Sequence, residues 1–291
     1  MKVLILGAKG MLGTELVSVY SDHEVLAWDR QECDITNEDQ VRSKLLEAKP
    51  DLIISCAAYN NVDGAEGEGK ELAYLLNRDA PRYIAEIAKE LDVPFVQYSS
   101  DYVFDGMNPN GYVESDEPNP ISEYAKSKAA GEKALSELHS IGSKIYIIRP
   151  SRIFGKMGSG EGVKESFVDL MLRLAEEGRT EFDMVDEEMA SPTYAPDLAR
   201  RTREIVENHP PGIYHGTNEG ACTWFGFAQE VFRLAGKSDI KLNPVPTSFY
   251  PRPSHRPPCS WLKNTKLPPA RTWQAALAEY MKLRQDEAES N

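Results

Sequence analysis

The first half of the chain alternates short, almost continuously apolar runs with longer amphipathic stretches. The apolar runs predict strands that are buried on both faces, at residues 3–6, 25–28, 52–56, 95–99 and 145–148. The amphipathic stretches between them predict helices at residues 11–20, 38–46, 66–91 and 121–138. Because strands and helices alternate, we expect an α/β fold with a Rossmann-type, doubly wound parallel sheet.

The second half of the chain has a less regular pattern. It predicts helices at residues 167–177, 195–207 and 224–234, and its proline-rich stretch at 244–258 predicts a long ordered loop. We therefore predict a dinucleotide-binding domain over residues 1–150 and a smaller C-terminal α/β substrate lobe over residues 151–291. Segments of the chain are free to cross between these two lobes.

Composition narrows the class of protein. The 291 residues carry a formal net charge of −13, which argues against a nucleic-acid partner. No apolar run approaches the ~18 residues that a membrane span needs, and the first residues show no signal-peptide pattern. The four cysteines are scattered, without the spacing of a metal site or of a disulfide framework. We expect a cytoplasmic enzyme with neither a nucleic-acid nor a membrane partner.

Three glycines follow the first predicted strand and open the first predicted helix. The spacing of Gly7, Gly10 and Gly13 allows a tight turn, close approach of the backbone to a pyrophosphate, and close packing of the helix. The start of the helix adds free amides and the positive end of its dipole. An ordinary strand-to-helix turn is the alternative. We predict that a dinucleotide binds at Gly7, Lys9, Gly10, Met11, Leu12 and Gly13.

The end of the second predicted strand bears on which dinucleotide binds. Asp29 lies about 20 residues beyond the glycine-rich turn, where an acidic residue meets the adenosine ribose. Asp29 favours the free 2′-hydroxyl of NADH, whereas Arg30 and Lys9 favour the 2′-phosphate of NADPH. These signals conflict, so we expect NADPH or NADH as the cofactor, with NADPH slightly favoured. Further cofactor contacts are predicted at Asp34, Ile35, Ala57, Ala58 and Tyr59.

Tyr124 and Lys128 lie four residues apart and therefore on one face of a predicted helix. An ammonium group beside a phenol stabilises the phenolate and lowers the phenol's pKa, so that a tyrosine exchanges a proton near neutral pH. Ser100 follows the fourth predicted strand, at the sheet edge where open α/β folds bind ligands. We predict Tyr124 as the acid, Lys128 as its orienter and Ser100 as the hydrogen-bond donor to the reacting oxygen. The alternative is a surface aromatic, a surface lysine and a capping serine.

These residues together resemble those of the extended short-chain dehydrogenase/reductases. The resemblance is closer still to the dTDP-4-dehydrorhamnose reductase family, and it extends over nearly the whole chain. Its most specific element is the Ser-Asp-Tyr-Val-Phe-Asp-Gly segment at residues 100–106. Other matching positions are 57–59, 62–63, 191–194, 212–215, 218–220, 256–257, 260, 262, 273 and 276–277.

The resemblance implies reduction of the 4-keto group of a nucleoside-diphosphate sugar by NADPH or NADH, with dTDP-4-dehydro-L-rhamnose as the first candidate. It implies that Ser100, Tyr124 and Lys128 are catalytic, and that Tyr124 and Lys128 also contact the cofactor. Substrate contacts are implied at Ser100, Asp101, Val103, Phe104, Arg152 and Arg256. A monomer or a homodimer is expected. Some members dimerise through magnesium, but we interpret Glu15, at one matching position, as a solvent-facing helix residue and predict no metal site.

Three departures from the family pattern fall in the substrate lobe. Arg152 stands where the family usually has tryptophan, residues 187–190 stand where an Asp-Gln pair and a glycine are usual, and Ser166 replaces an asparagine. The alternatives are therefore another reductase or an epimerase of 4-keto-6-deoxysugar nucleotides. A rival from a different class is a non-catalytic NADP-binding subunit like the regulatory subunit of methionine adenosyltransferase. A dehydratase is not expected, because Tyr102 follows Asp101 where a dehydratase needs glutamate.

Overall fold

The apolar runs of the first half all form parallel strands of one sheet. In this computed structural model, which describes residues 1–289, the strands are β1 (Lys2–Leu6), β2 (Glu24–Trp28), β3 (Leu52–Ser55), β4 (Phe95–Tyr98), β5 (Ile145–Arg149), β6 (Ile153–Phe154), β7 (Glu181–Val185), β8 (Thr193–Tyr194), β9 (Gly212–His215) and β10 (Lys241–Val245). The helices are α1 (Met11–Val19), α2 (Glu38–Ala48), α3 (Lys70–Tyr74), α4 (Ala80–Glu90), α5 (Glu123–Ser140), α6 (Phe167–Glu176), α7 (Ala195–Asn208), α8 (Trp224–Leu234) and α9 (Trp273–Glu289). Within residues 1–289, none of these helices has the length and apolar character needed to cross a membrane.

Six strands form the large sheet in the order β2-β1-β3-β4-β5-β9, and every neighbouring pair is parallel. Alternate strand residues pack on opposite faces: Ile5 belongs to one buried cluster and Leu4 to another. The order reverses between β1 and β3, and doubly wound sheets bind ligands beyond the carboxyl ends of the strands at such a point. The predicted Rossmann-type α/β fold is confirmed, and both the glycine-rich turn after β1 and Ser100 after β4 lie at this edge.

The predicted helix at residues 66–91 differs most from its prediction. It consists of a 3₁₀ turn (Gly64–Glu66), α3, a π-helical turn (Leu75–Asp79) and α4. Pro81 lies in the first turn of α4, where it has no amide hydrogen for the carbonyl group four residues earlier. The regular helix is therefore interrupted just before this proline, and the π-helical turn that results carries Asn77 into the site described below.

The second half contains short strands that the sequence pattern did not predict. β7 pairs with β10, and β6 with β8, in two small parallel sheets. β10 covers the first two residues of the stretch predicted as a loop at 244–258, so that loop begins later than predicted. A separate apolar cluster includes Phe154, Phe182 and Phe227. The division at residue 150 stays a prediction, and the chain crosses it, since β9 completes the large sheet and α7 packs against α1.

Candidate active site

The glycine-rich turn after β1 packs tightly at two of its three glycines. Gly7 has a φ of 75°, and a Cβ there would lie 2.8 Å from the backbone nitrogen of Ala57. A Cβ on Gly13 would lie 2.2 Å from the carbonyl oxygen of Gly7. Gly10 differs, because a Cβ there would approach only that same oxygen, at 3.3 Å, and no side chain caps α1. The first amides of α1 are therefore left for an external acceptor, as a pyrophosphate site requires.

The two residues after Gly10 form the first positions of α1. Met11 is half-buried, and the side chain of Leu12 is buried in the core on one face of the sheet. Leu12 therefore has its backbone, and not its side chain, available to a cofactor. The geometry of this turn fits a dinucleotide. The space in front of Gly10 is open, and the amides of the helix that follows have no side-chain acceptor.

Asp29, at the end of β2, is joined to the glycine-rich turn by hydrogen bonds. Its carboxylate accepts hydrogen bonds from the amides of Lys9 (3.1 Å) and Arg30 (2.7 Å). The two cations predicted to favour a 2′-phosphate each face an acid: the Lys9 ammonium lies 3.7 Å from Glu32, and the Arg30 guanidinium 3.5 Å from Asp34. The structure thus brings Lys9, Asp29 and Arg30 together beside the turn, and the preference between NADPH and NADH stays a prediction.

The other predicted cofactor contacts lie in two loops at the same sheet edge. Asp34 accepts hydrogen bonds from the amide and hydroxyl of Thr36, and the carbonyl oxygen of the buried Ile35 accepts one from the Tyr83 hydroxyl. Ala57, Ala58 and Tyr59 follow β3 and are half-buried.

The loop after β3 is fixed by a residue that the sequence analysis missed. The Asn77 side chain accepts a hydrogen bond from the Tyr59 amide at 3.0 Å and donates one to the Tyr59 carbonyl oxygen at 3.1 Å. It also donates to the Ser127 hydroxyl at 2.9 Å, one residue before Lys128. Asn77 therefore ties the loop after β3 to the helix that carries Tyr124. Its isolated position in the sequence gave no signal of this role.

Ser100, Tyr124 and Lys128 are brought together and nearly closed off from solvent. Their exposed fractions are 8%, 7% and 4%, respectively, so water has little access to any of the three side chains. Ser122 caps α5 by accepting a hydrogen bond from the Ala125 amide, and this cap fixes the turn on which Tyr124 lies. The Lys128 ammonium donates to the Tyr98 carbonyl oxygen at 3.2 Å, at the end of β4.

The protonation equilibria of this site differ from the sequence-based expectation. Burial raises the pKa of the Tyr124 phenol above its ordinary value, while the hydrogen bond with Ser100 opposes that rise. The sequence analysis predicted that Lys128 lowers the pKa of Tyr124, but in this structure the ammonium bonds to Tyr98 and burial dominates. Burial also lowers the pKa of Lys128 to about 8, so this side chain is still cationic at neutral pH.

Asp101 lies at the centre of a set of three serine hydroxyls. One carboxylate oxygen accepts a hydrogen bond from Ser100 at 3.1 Å. The second oxygen accepts hydrogen bonds from Ser151 at 2.7 Å and from Ser260 at 2.6 Å. Because Asp101 is 3% exposed and both oxygens are engaged, its carboxylate has no free surface toward a substrate. Substrate contact by Asp101, inferred from the family resemblance, stays a prediction.

Tyr102 and Arg256 lie beside the Tyr124 phenol. The Tyr102 ring packs edge-on against Tyr124, with centroids 6.1 Å apart, and the Arg256 guanidinium lies 6.0 Å from the Tyr102 centroid. Arg256 donates to the Asp63 carboxylate at 2.9 Å, while its other terminal nitrogen, Nη1, is buried without a hydrogen-bond partner. A buried guanidinium nitrogen without a hydrogen-bond partner is what an anionic ligand would satisfy. The Tyr102 position was within the most specific motif of the sequence and was missed as a site residue.

The Arg152 side chain is fixed by contacts with residues of the second half of the chain. Its guanidinium donates to the carbonyl oxygens of Cys222 (2.9 Å) and Glu188 (2.5 Å), and it lies 4.0 Å from the centroid of the Trp224 ring. Trp224 in turn donates to the Glu188 carboxylate at 3.0 Å, and Arg252 pairs with the same carboxylate at 3.1 Å. Positions 152 and 188, which both depart from the family pattern, thus belong to one connected cluster. Trp224 of α8 supplies the aromatic ring of this cluster.

Two further residues predicted to contact the substrate are fully buried. Val103 and Phe104 have no exposed surface and pack with Tyr112 and Leu262, and their contact with a substrate stays a prediction. Glu15 is half-buried, and burial raises its pKa. Among residues 1–289, no group of three or more His, Cys, Asp or Glu side chains is arranged to hold a metal ion.

A parallel Rossmann-type sheet, with a tyrosine and a lysine one helical turn apart at its ligand-binding edge, places this chain in the class of short-chain dehydrogenase/reductases. Comparison with known proteins identifies the particular family. Residues 1–285 match the family described as RmlD substrate binding domain. The chain belongs to this family, and the resemblance to dTDP-4-dehydrorhamnose reductases is confirmed.

Three relatives cover almost the whole chain. A dTDP-4-dehydrorhamnose reductase of Streptomyces griseus is 35% identical over 95% of this chain and 91% of its own length. A dTDP-4-keto-6-deoxy-D-glucose reductase of Streptomyces niveus is 33% identical over 96% of each chain. The crystal structure of dTDP-4-dehydrorhamnose reductase from Bacillus anthracis in complex with NADP is 34% identical, with a TM-score of 0.89 over 97% of this chain and 99% of that one.

Proposed function

We propose that this protein is an NADPH- or NADH-dependent oxidoreductase that reduces the 4-keto group of a nucleoside-diphosphate sugar, with dTDP-4-dehydro-L-rhamnose as the first substrate to test. The observation that carries the proposal is the buried group of Ser100, Tyr124 and Lys128 at the same sheet edge as the glycine-rich turn. The names of the relatives support the substrate class, and the NADP complex of the Bacillus anthracis relative supports NADPH as the cofactor.

The side chains divide the reaction between them. When bound, the reduced nicotinamide supplies a hydride to the carbonyl carbon of the sugar. Tyr124 donates its proton to the carbonyl oxygen, on which negative charge develops, and Ser100 donates a hydrogen bond to that same oxygen. Lys128, still cationic at neutral pH and one helical turn from Tyr124, would stabilise the phenolate that Tyr124 becomes and would hold the nicotinamide ribose. The low exposure of all three side chains excludes bulk water from the transfer.

The direct test is a substrate screen. The protein is incubated with dTDP-, GDP- and UDP-linked 4-keto sugars and with NADPH or NADH, and cofactor oxidation and product stereochemistry are measured. Stoichiometric oxidation of the cofactor with a dTDP-4-keto-6-deoxysugar supports the proposal. An epimerase would change the sugar without net cofactor oxidation, and a regulatory subunit would bind the cofactor without turnover with any of these sugars. The Streptomyces niveus relative favours a second candidate, a reductase of dTDP-4-keto-6-deoxy-D-glucose, which product stereochemistry distinguishes.

We also infer that the protein acts in the cytoplasm as a monomer or a homodimer. The nucleotide-sugar substrate and the nicotinamide cofactor of the proposed reaction favour this location. Light scattering after size exclusion would separate the two oligomeric states.

Arg256→Ala is expected to raise the KM for the nucleotide sugar by about 10- to 100-fold with little change in kcat. The buried, unpartnered Nη1 fits an oxygen of the diphosphate, and a hydrogen bond to a charged group contributes ~1.5–3 kcal/mol. A contact that binds the ground state and the transition state equally raises KM when it is lost and leaves kcat unchanged. Steady-state kinetics checks this expectation, with thermal unfolding as the control. An unchanged KM with a lowered midpoint of unfolding would mean that Arg256 only anchors its loop to Asp63.

Asp29→Ala is expected to raise the ratio of kcat/KM for NADPH to that for NADH. The substitution removes a negative charge that would repel a 2′-phosphate and leaves Arg30 and Lys9 in place. Steady-state measurement of kcat/KM with NADPH and with NADH, for the variant and for the wild type, checks the expectation. If both cofactors lose affinity equally, Asp29 shapes the glycine-rich turn through its bond to the Lys9 amide and does not face the ribose.

A further inference from the structure

The hydroxyl of Ser100 has one hydrogen, and the structure assigns it to a partner other than the substrate. Ser100 donates that hydrogen to the Asp101 carboxylate at 3.1 Å and accepts a hydrogen bond from the Tyr102 amide at 3.2 Å. A serine hydroxyl offers a single donor and two acceptor positions. With Asp101 ionised, Ser100 therefore has no hydrogen left for the carbonyl oxygen of the sugar. The arrangement observed conflicts with the role that the reaction requires of Ser100.

A protonated Asp101 resolves this conflict without moving any heavy atom. The carboxyl proton then bonds to the second acceptor position of the Ser100 oxygen, and the Ser100 hydrogen is released toward the cleft. The other carboxyl oxygen keeps both of its donors, Ser151 and Ser260. In the neutral form the Ser100 hydrogen faces Tyr124, with which Ser100 is already hydrogen-bonded, and so faces the position of the reacting oxygen. Asp101 keeps its proton while Tyr124 delivers the proton that the reduced oxygen receives.

We propose that Asp101 is a positioning residue whose proton directs the Ser100 hydroxyl toward the substrate oxygen. The inference rests on the proposed ketone reduction and adds a pH-dependent element to it. The proposed effect passes through Ser100, because the carboxyl group is 3% exposed and enclosed by serines from three parts of the chain.

The surroundings of Asp101 bear on when it holds this proton. Burial raises the pKa of Asp101, and the hydrogen bonds from Ser260 and Ser151 and the charge of Arg152 oppose that rise. The titratable groups that face it are Tyr102 on its own segment, Tyr124 on α5 and Arg152 after β5. Since the folded-state pKa is raised, the neutral and active form is present below that pKa and is lost as pH rises through it.

The test compares pH profiles of kcat and KM for the wild type and for Asp101→Asn. An amide donates to Ser100 and accepts from Ser151 and Ser260, so it imitates the neutral acid at every pH. We expect wild-type kcat to fall by about 10- to 100-fold as Asp101 ionises, the effect of losing one hydrogen bond to a charged oxygen. Asp101→Asn is expected to lack the fall that Asp101 causes and to keep only the fall caused by deprotonation of Lys128, whose pKa is about 8. Where Asp101 has ionised and Lys128 is still cationic, its kcat is expected to exceed the wild-type kcat by the same factor. A variant that is folded but slower than the wild type at all pH values would overturn the inference.

Two further sets of variants keep the inference testable. Asp105→Asn is the matched control, because Asp105 bonds to Tyr112 and Asn119 outside the set of three serines, and it is expected to retain the wild-type profile. Ser151→Ala removes one donor to the ionised carboxylate and is expected to move the fall in kcat to higher pH. If kcat falls at the same pH in Ser151→Ala as in the wild type, or if the fall in kcat disappears in Asp105→Asn, the group that titrates is not Asp101.

An infrared measurement separates this inference from the proposed function. The difference spectrum between wild type and Asp101→Asn is expected to contain the carbonyl stretch of a buried carboxylic acid, which disappears with rising pH at the midpoint of the kinetic profile. This measurement needs no turnover. Absence of reduction with every 4-keto sugar nucleotide would contradict the proposed function, whereas reduction with the same pH profile in Asp101→Asn as in the wild type would contradict only the role of Asp101.

Discussion

Tyr124→Phe is expected to lower kcat for a 4-keto sugar nucleotide by about 10²–10⁴-fold, the usual contribution of general acid–base catalysis. In the proposed mechanism the phenol supplies a proton to the developing alkoxide, and phenylalanine has no such proton. Because Tyr124 is 7% exposed and packs edge-on against Tyr102, the ring of phenylalanine fits the same space. The KM for NADPH is expected to stay within about twofold of the wild type, since the hydroxyl is lost and the ring is kept.

Companion variants distinguish loss of the acid from general damage to the site. Lys128→Ala is expected to lower kcat and to weaken cofactor binding, because it removes a buried cation that bonds to Tyr98 at the end of β4. Ser100→Ala is expected to lower kcat by a smaller factor than Tyr124→Phe. Full turnover by a folded Tyr124→Phe protein would show that the assigned proton donor is wrong, even though the fold stands.

The sequence predicted the first half of the fold, where the local pattern of apolar residues matches the burial of the strands. Strands β1, β3, β4 and β5 are buried on both faces, so their apolar runs are continuous and easily recognised. β9 was missed because it starts with glycine and is half-buried for half of its length, so it lacks a continuous apolar run. The sequence analysis also missed α9, although its sequence carries a helical pattern. The buried residues follow helical spacing at Trp273, Ala276, Leu277 and Tyr280.

The candidate site divides in the same way between local and distant features. The glycine spacing and the Tyr-x-x-x-Lys spacing are local, so they could be identified from the sequence. The hydrogen bond from Ser260 to Asp101 joins residues 159 positions apart, and no periodic pattern encodes such a contact. The same holds for Asn77, which reaches Ser127 across 50 positions. The direction of the Tyr124 pKa shift was also beyond the sequence, because burial decides it and burial is a property of the fold.

Gly10→Val is expected to raise the Kd for NADPH by at least about tenfold while leaving the protein folded. Loss of a single hydrogen bond to a charged group costs ~1.5–3 kcal/mol, and a side chain in front of the first amides of α1 would block more than one. The backbone at Gly10 has a φ of −72° and a ψ of 168°, which any residue adopts, and its added Cβ would meet only the Gly7 oxygen, at 3.3 Å. Titration of NADPH fluorescence measures the Kd, and circular dichroism with thermal melting checks the fold.

Two other glycines make this prediction specific to the cofactor. A Cβ on Gly13 would lie 2.2 Å from the Gly7 oxygen and 2.8 Å from the Ala8 Cα, so Gly13→Ala is expected to lose stability together with binding. Gly226, in α8, has its nearest neighbours 3.6 Å from an added Cβ, and Gly226→Val is expected to bind NADPH like the wild type. An added Cβ is crowded at Gly13 but not at Gly10, so only Gly13→Ala is expected to lose stability. Equal losses of stability in Gly13→Ala and Gly10→Val would mean that both glycines are required for the packing of the turn. Unchanged NADPH affinity in a folded Gly10→Val protein would instead place the pyrophosphate elsewhere and remove the basis for assigning the cofactor to this edge of the sheet.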